Sequence, residues 1–155
     1  MFIRNFFLFL ILLIMFNSCG YSPTFKKSIN NNIEIKIIKM SGDNLINSHI
    51  KSRLKVYANT TNSFQYNVNV NTNYEKKDLS KDSTGKITNY ELKFKAQFDV
   101  DLIKLNKKII IEESFLLNNS NDTFSNNENE NFIKRDFANI AAEKLIAQLL
   151  LLSTK

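Results

Sequence analysis

Two stretches of this chain alternate apolar and polar residues with a period of two, and they restrict the fold more than any other feature. Phe64, Tyr66, Val68, Val70, Thr72 and Tyr74 point one way; Gln65, Asn67, Asn69, Asn71 and Asn73 point the other. Tyr90, Leu92, Phe94, Ala96, Phe98, Val100 and Leu102 repeat the pattern against Asn89, Glu91, Lys93, Lys95, Gln97, Asp99 and Asp101. Successive side chains leave a strand on opposite sides, so this period predicts long antiparallel strands with one dry face and one wet face. The polar segment between them, Lys76 to Lys86, reads as the hairpin connection.

The remaining elements follow from the same kind of reading. Ile33, Ile35 and Ile37 alternate with Glu34 and Lys36, which predicts a half-buried strand over 33–40. Ser41-Gly42-Asp43-Asn44 is a turn that also caps a helix. Leu45, Ile46, His49, Ile50, Leu54 and Tyr57 share one face at spacings of three and four, predicting a helix from about Asn44 to Ala58. A fourth strand runs from Lys108 to about Leu117. Asn118 to Asn127 is an Asn/Ser-rich loop, and Ser125 with Glu128 reads as a capping box. Phe132, Ile133, Phe137, Ile140, Ala141, Leu145, Ile146, Leu149 and Leu150 then form a wide apolar stripe on a helix over 128–152, about 37 Å long. The order strand-helix-strand-strand-strand-helix predicts an α+β two-layer sandwich. Its sheet has four mainly antiparallel strands, with two helices on one face.

Composition narrows the chemistry. The chain has 155 residues, enough for one domain, with 3 Gly, 1 Cys and 1 His. One cysteine forms no internal disulfide framework or Cys-rich zinc site. Three glycines do not build the loops that wrap phosphates. His49, the single histidine, lies near an apolar helix face without a nucleophile beside it and reads as a packing residue. Glu112 and Glu113 are adjacent in a strand, so they face opposite ways and make no convergent carboxylate pair. Asp99 and Asp101 share a face and read as a solvated strand surface. These features predict a protein that is not an enzyme and needs no metal or cofactor.

The N-terminus predicts export. Arg4 precedes an unbroken apolar run of 11, Phe6 to Phe16, followed by Asn17, Ser18 and Cys19. A basic start, a 7–15-residue apolar centre and a small residue before the cut describe a secretory signal. The run falls short of the ~20 residues a membrane-spanning helix needs. Cys19, with Ser18 before it and Gly20 after it, is similar to the bacterial lipobox, although Phe16 and Asn17 depart from the usual residues upstream. That resemblance implies a signal peptide over 1–18, a covalent lipid on the Cys19 thiol (acyl chains of the palmitate kind) and a tether over 19–32. The single domain then spans 33–155. Multiple acyl chains give stable membrane anchoring. Gly20 stands where Asp would retain enteric lipoproteins in the inner membrane, so the resemblance implies the outer membrane.

Without residues 1–18 the chain keeps 20 basic and 15 acidic residues. A mildly basic exported domain suits an anionic surface such as lipid phosphate, and export disfavours nucleic acid as a partner. Lys76, Lys77, Lys81 and Lys86 concentrate at one end of the sheet and are the candidate contacts to phosphate groups.

The opening Cys19-Gly20-Tyr21-Ser22-Pro23 is similar to the cysteine-glycine-aromatic-x-proline start of alphaproteobacterial members of the LptE family of LPS-assembly lipoproteins. The final helix, with Ile140-Ala-Ala-Glu-Lys-Leu-Ile-Ala-Gln-Leu, and the inferred element order also resemble that family. Thr24-Phe25 departs from the leucine-tyrosine that often follows. The resemblance implies a non-enzymatic plug inside the LptD-type outer-membrane β-barrel that assists delivery of lipopolysaccharide to the outer leaflet. The alternative reading is a tethered periplasmic lipid carrier or a pilotin-like accessory lipoprotein. A carrier would need a cavity between sheet and helices, which Phe94, Phe98, Phe132 and Phe137 would line.

Overall fold

In the computed structural model, residues 33–58, 64–102 and 105–153 are described. The signal peptide, Cys19 and the tether lie outside them. Strand β1 (Ile33–Ser41) leads into helix α1 (Asn44–Leu54), which tightens into a single 3-10 turn at Lys55–Tyr57. Strands β2 (Phe64–Lys81), β3 (Ile87–Leu102) and β4 (Leu105–Asn118) follow, and helix α2 (Thr123–Ser153) closes the chain. The sheet order is β1-β2-β3-β4. β2, β3 and β4 pair antiparallel, while β1 pairs parallel with β2. The parallel pair needs a crossover, and α1 supplies it. This is the expected two-layer α+β architecture.

The period-two register holds. Tyr66, Val68, Val70, Leu92, Phe94, Ala96, Phe98, Val100, Ile109 and Ile111 are all buried on one face. Ile46, Ile50 and Leu54 of α1 and Phe137, Ala141, Leu145 and Leu149 of α2 complete the same core. Phe94 stacks on Phe137 at 4.9 Å and meets Phe115 edge-on at 5.7 Å. The Tyr66 hydroxyl donates to the Leu149 carbonyl at 3.1 Å, tying β2 to the last turns of α2.

Three of the differences from expectation have a clear physical reason. First, the Lys76–Lys86 segment is mostly strand. Lys76, Lys77 and Asp78 pair with Leu92, Glu91 and Tyr90, so the ladder outruns the apolar alternation. The turn shrinks to residues 82–86. There Asp82 Oδ1 accepts from the Thr84 and Lys86 amides, and Gly85 adopts φ +85°. Second, Asp122 rather than Ser125 caps α2, its carboxylate accepting from the Phe124 and Ser125 amides at 3.0 and 3.3 Å. The helix therefore starts at Thr123, about 46 Å from its far end. Asn126 also bonds the Ser120 amide and the Asn119 side chain, holding the poor helix formers of this turn in place. Third, Phe132 is 67% exposed instead of buried. The buried stripe steps by fours from Ile133 through Phe137, Ala141, Leu145 and Leu149. Phe132 lies roughly 140° around the helix from Phe137, on the wet side.

The junction between β1 and α1 fixes where the helix lands. Asp43 caps α1 with Oδ1 accepting from Leu45 and Ile46 at 2.9 and 3.0 Å. Thr72 Oγ1, on the dry face of β2, accepts from the Asp43 amide and donates to the buried Asn47 side chain. Gly42 turns here at φ +103°, and a Cβ would sit 1.7 Å from the Thr72 carbonyl oxygen. No other residue fits that approach.

Candidate functional site

The side of the sheet away from the helices is polar and open. Asn67, Asn69, Asn71 and Asn73 run along β2, opposite Asp101, Asp99, Gln97 and Lys95 of β3. Its charges are largely answered by neighbours. Lys95 pairs across the strands with Glu112 at 2.7 Å, Lys77 with Glu75 at 3.1 Å, and Lys93 with Glu91 at 3.3 Å. Asp99 accepts from Gln97 at 3.0 Å. Glu112 and Glu113 do diverge, the latter reaching back to Lys144 of α2 at 2.5 Å. Asn73, Glu75, Lys93, Lys95, Glu112 and Ser114 line a shallow depression of about 470 Å³ on this face. Ile110 and Leu116 of the edge strand β4 add two exposed apolar side chains.

The four candidate lysines do not share one surface. Lys76 turns toward the helix layer, where its ammonium lies 2.8 Å from Glu130 and 4.2 Å above the Tyr90 ring. Lys77 points to the opposite face and meets Glu75. Lys81 sits 3.7 Å from Asp78, and Lys86 bonds Asn121. All four stand near the hairpin end of the sheet, but each already has a polar partner.

Lys76 belongs to a network the sequence reading missed. Glu130 of α2 accepts from Lys76 and, at 2.6 Å, from the Tyr74 hydroxyl. Lys134, one helical turn on, reaches Asp43 at 3.1 Å and Glu130 at 3.7 Å, and it lies 4.0 Å above the Tyr74 ring. One cluster thus ties the α1 cap, β2 and α2 together. Burial alone would raise the Glu130 carboxyl. The bonds from Lys76 and Tyr74 and the charges of Lys76 and Lys134 outweigh it and hold Glu130 below 4.5. Burial likewise opposes ionisation of Asp43, but the Ile46 amide and Lys134 keep it below 3.8. Burial, then the adjacent Glu130 carboxylate, push the Tyr74 phenol far up, so it stays a donor. The spacing of Glu130 and Lys134 by four was the available signal. It was hidden in the Asn/Glu run that opens α2.

His49 is half-buried on α1, in keeping with a packing role. Among the described residues, no three His, Cys, Asp or Glu side chains gather closely enough to hold a metal ion. Among the same residues, no helix is long and apolar enough to cross a membrane.

No protein-family model and no curated protein matches the chain. Solved structures do. Rare lipoprotein B from Shewanella oneidensis is 15% identical, with a TM-score of 0.59, over 77% of this chain and 97% of that one. A putative lipoprotein from Caulobacter crescentus is 14% identical, with a TM-score of 0.53, over 81% and 93%. Lipoprotein B from Nitrosomonas europaea is 13% identical, with a TM-score of 0.52, over 75% and 84%. At these identities the likeness is one of fold.

Proposed function

We propose that this chain is a lipoprotein of the bacterial envelope, anchored in the outer membrane by a lipid on Cys19. Its domain is a non-catalytic subunit of lipopolysaccharide-assembly machinery, seated as an LptE-like plug in an LptD-type β-barrel and assisting delivery of lipopolysaccharide to the outer leaflet. The observation that carries this reading is the open polar sheet face. Both helices bury their main apolar stripes against the other side of the sheet. A hydrophilic sheet whose charges are paired suits the water-filled lumen of a large barrel, whose wall is polar. The Cys19-Gly20-Tyr21-Ser22-Pro23 start and the shared fold with proteins named as lipoproteins support the same reading.

The packing of Phe94, Phe98 and Phe137 into the core, with Phe132 outside it, weighs against a carrier that holds its ligand between sheet and helices. The test is purification of the tagged full chain from detergent-solubilised outer membrane, with mass spectrometry of what accompanies it. The reading predicts co-purification of a large outer-membrane barrel and a lipid on Cys19 that Cys19→Ala removes. Recovery of the chain alone, with surface lipopolysaccharide normal after its depletion, would refute it.

A further inference from the structure

A second concave region lies elsewhere on the fold, between the edge strand β1 and the C-terminal end of α1. It is an open groove of about 470 Å³, within the range of ligand sites. Its floor is apolar, with Ile35 and Leu54 buried and Ile37 and Ala58 beside them. Lys36, Lys51 and Lys55 stand around it.

These three lysines differ from those at the hairpin. None of their ammonium groups has an ion-pair partner among the described residues. The rest of the chain supplies none from its side chains, because residues 1–32, 59–63, 103–104 and 154–155 contain no Asp or Glu. They contain Lys26 and Lys27 instead, upstream of β1. Glu34 is the one acidic residue lining the groove. Three exposed, unanswered cations over an apolar floor complement a ligand with an anionic head and a hydrocarbon body.

A peptide strand added to the β1 edge is the competing occupant, and the edge is built against it. The register slips between Ile37 and Lys39, and Lys36 and Lys39 are exposed along it. A bulge and lysines are the usual means of blunting an edge. Edge protection also does not account for Lys51 and Lys55, which lie on and just after the helix.

We propose that this groove binds one phosphorylated lipid, its phosphate on Lys36, Lys51 and Lys55 and its acyl chain over Ile35, Ile37, Leu54 and Ala58. The choice of a lipid rests on reading Cys19 as the membrane anchor. Cys19 stands fourteen positions before Ile33, a length of chain that spans at most about 50 Å.

The test is native mass spectrometry of the full lipidated chain in dodecyl maltoside, titrated with dioleoyl phosphatidic acid, dioleoylglycerol or inorganic phosphate. The inference predicts one saturable phosphatidic acid adduct that weakens at least tenfold in Lys36→Glu/Lys51→Glu/Lys55→Glu and several-fold in the corresponding triple Gln variant. Lys108→Glu/Arg135→Glu, at two exposed basic residues away from the groove, leaves it unchanged. All three groove lysines are exposed, so melting curves should match the parent. Equal phosphatidic acid binding by the triple Glu variant, or equally tight binding of dioleoylglycerol, would overturn the inference. Competition by inorganic phosphate at the same concentration would also overturn it, by showing that the headgroup alone is recognised. Barrel co-purification, scored on the same preparations, separates this from the proposed function. A barrel without the adduct rejects only the groove, and an adduct without the barrel rejects only the translocon reading.

Discussion

The two faces of β2 and β3 come from one alternating sequence but do opposite jobs. On the helix side, Tyr66, Val68, Leu92 and Phe98 are fully buried and locked to α1 and α2. On the other side, the asparagines of β2 and the paired charges of β3 and β4 stay in water. Stability therefore resides on one face, and the other is free to change without unfolding the protein. The lysines repeat the lesson at smaller scale. Those near the hairpin are bound to polar partners, while those at the β1–α1 corner have no ion pair among the described residues, and charge density along the sequence did not distinguish them.

The largest effects belong to the dry face. Phe98→Ala should cost ~3–5 kcal/mol in urea unfolding, whereas Asn71→Ala on the wet face should stay within about 0.5 kcal/mol. The two glycine turns differ by the space around them. Gly42→Ala drives a Cβ into the Thr72 carbonyl at a positive φ and should cost ~2–3 kcal/mol. Gly85 also has positive φ but open space around it, so Gly85→Ala should cost ~1 kcal/mol.

The half-buried charge cluster follows. Glu130→Gln keeps an acceptor for Tyr74 but removes the charge facing Lys76 and Lys134, and it should cost ~1–2 kcal/mol at pH 7. Glu130 and Asp43 are held below 4.5 and 3.8 in the folded chain. As the pH falls, the unfolded chain takes up these protons first. Their stabilisation is thus complete above about pH 5, starts to fade as the pH drops below those ordinary values, and is lost once it has passed the lower values of the folded chain. Parent and Glu130→Gln melting curves should draw together as the pH falls below about 4.5; a constant gap down to pH 3 would contradict the assignment. The smallest effect belongs to the wet face. Removing the exposed Lys95–Glu112 pair by Lys95→Ala should change stability by less than ~1 kcal/mol, and less still in high salt.

The sheet was legible because alternation over Phe64–Tyr74 and Tyr90–Leu102 leaves few choices of face. Helix α1 was legible from its spacing and the Ser41–Asn44 capping turn, within which Asp43 is the cap. What escaped the sequence was set by tertiary partners. β2 continues through Lys76, Lys77 and Asp78 because β3 offers a backbone ladder there, which no side-chain pattern announces. Phe132 looked buried by hydropathy and was placed outside by helical phase. Charge density marked the hairpin end, but it could not show that Lys76 is taken by Glu130 from 54 positions away. Lys36, Lys51 and Lys55 are scattered in sequence, so only folding brings them around one groove.

The central claim is that the polar sheet face docks against the inside of an outer-membrane barrel. A photo-crosslinking residue placed at Asn71 of the full chain in intact cells tests it most directly. The account predicts an adduct with a large outer-membrane β-barrel protein, repeated from Lys95 and Glu112. Absence of any barrel adduct from all three positions, with the variants folded and lipidated, would contradict it.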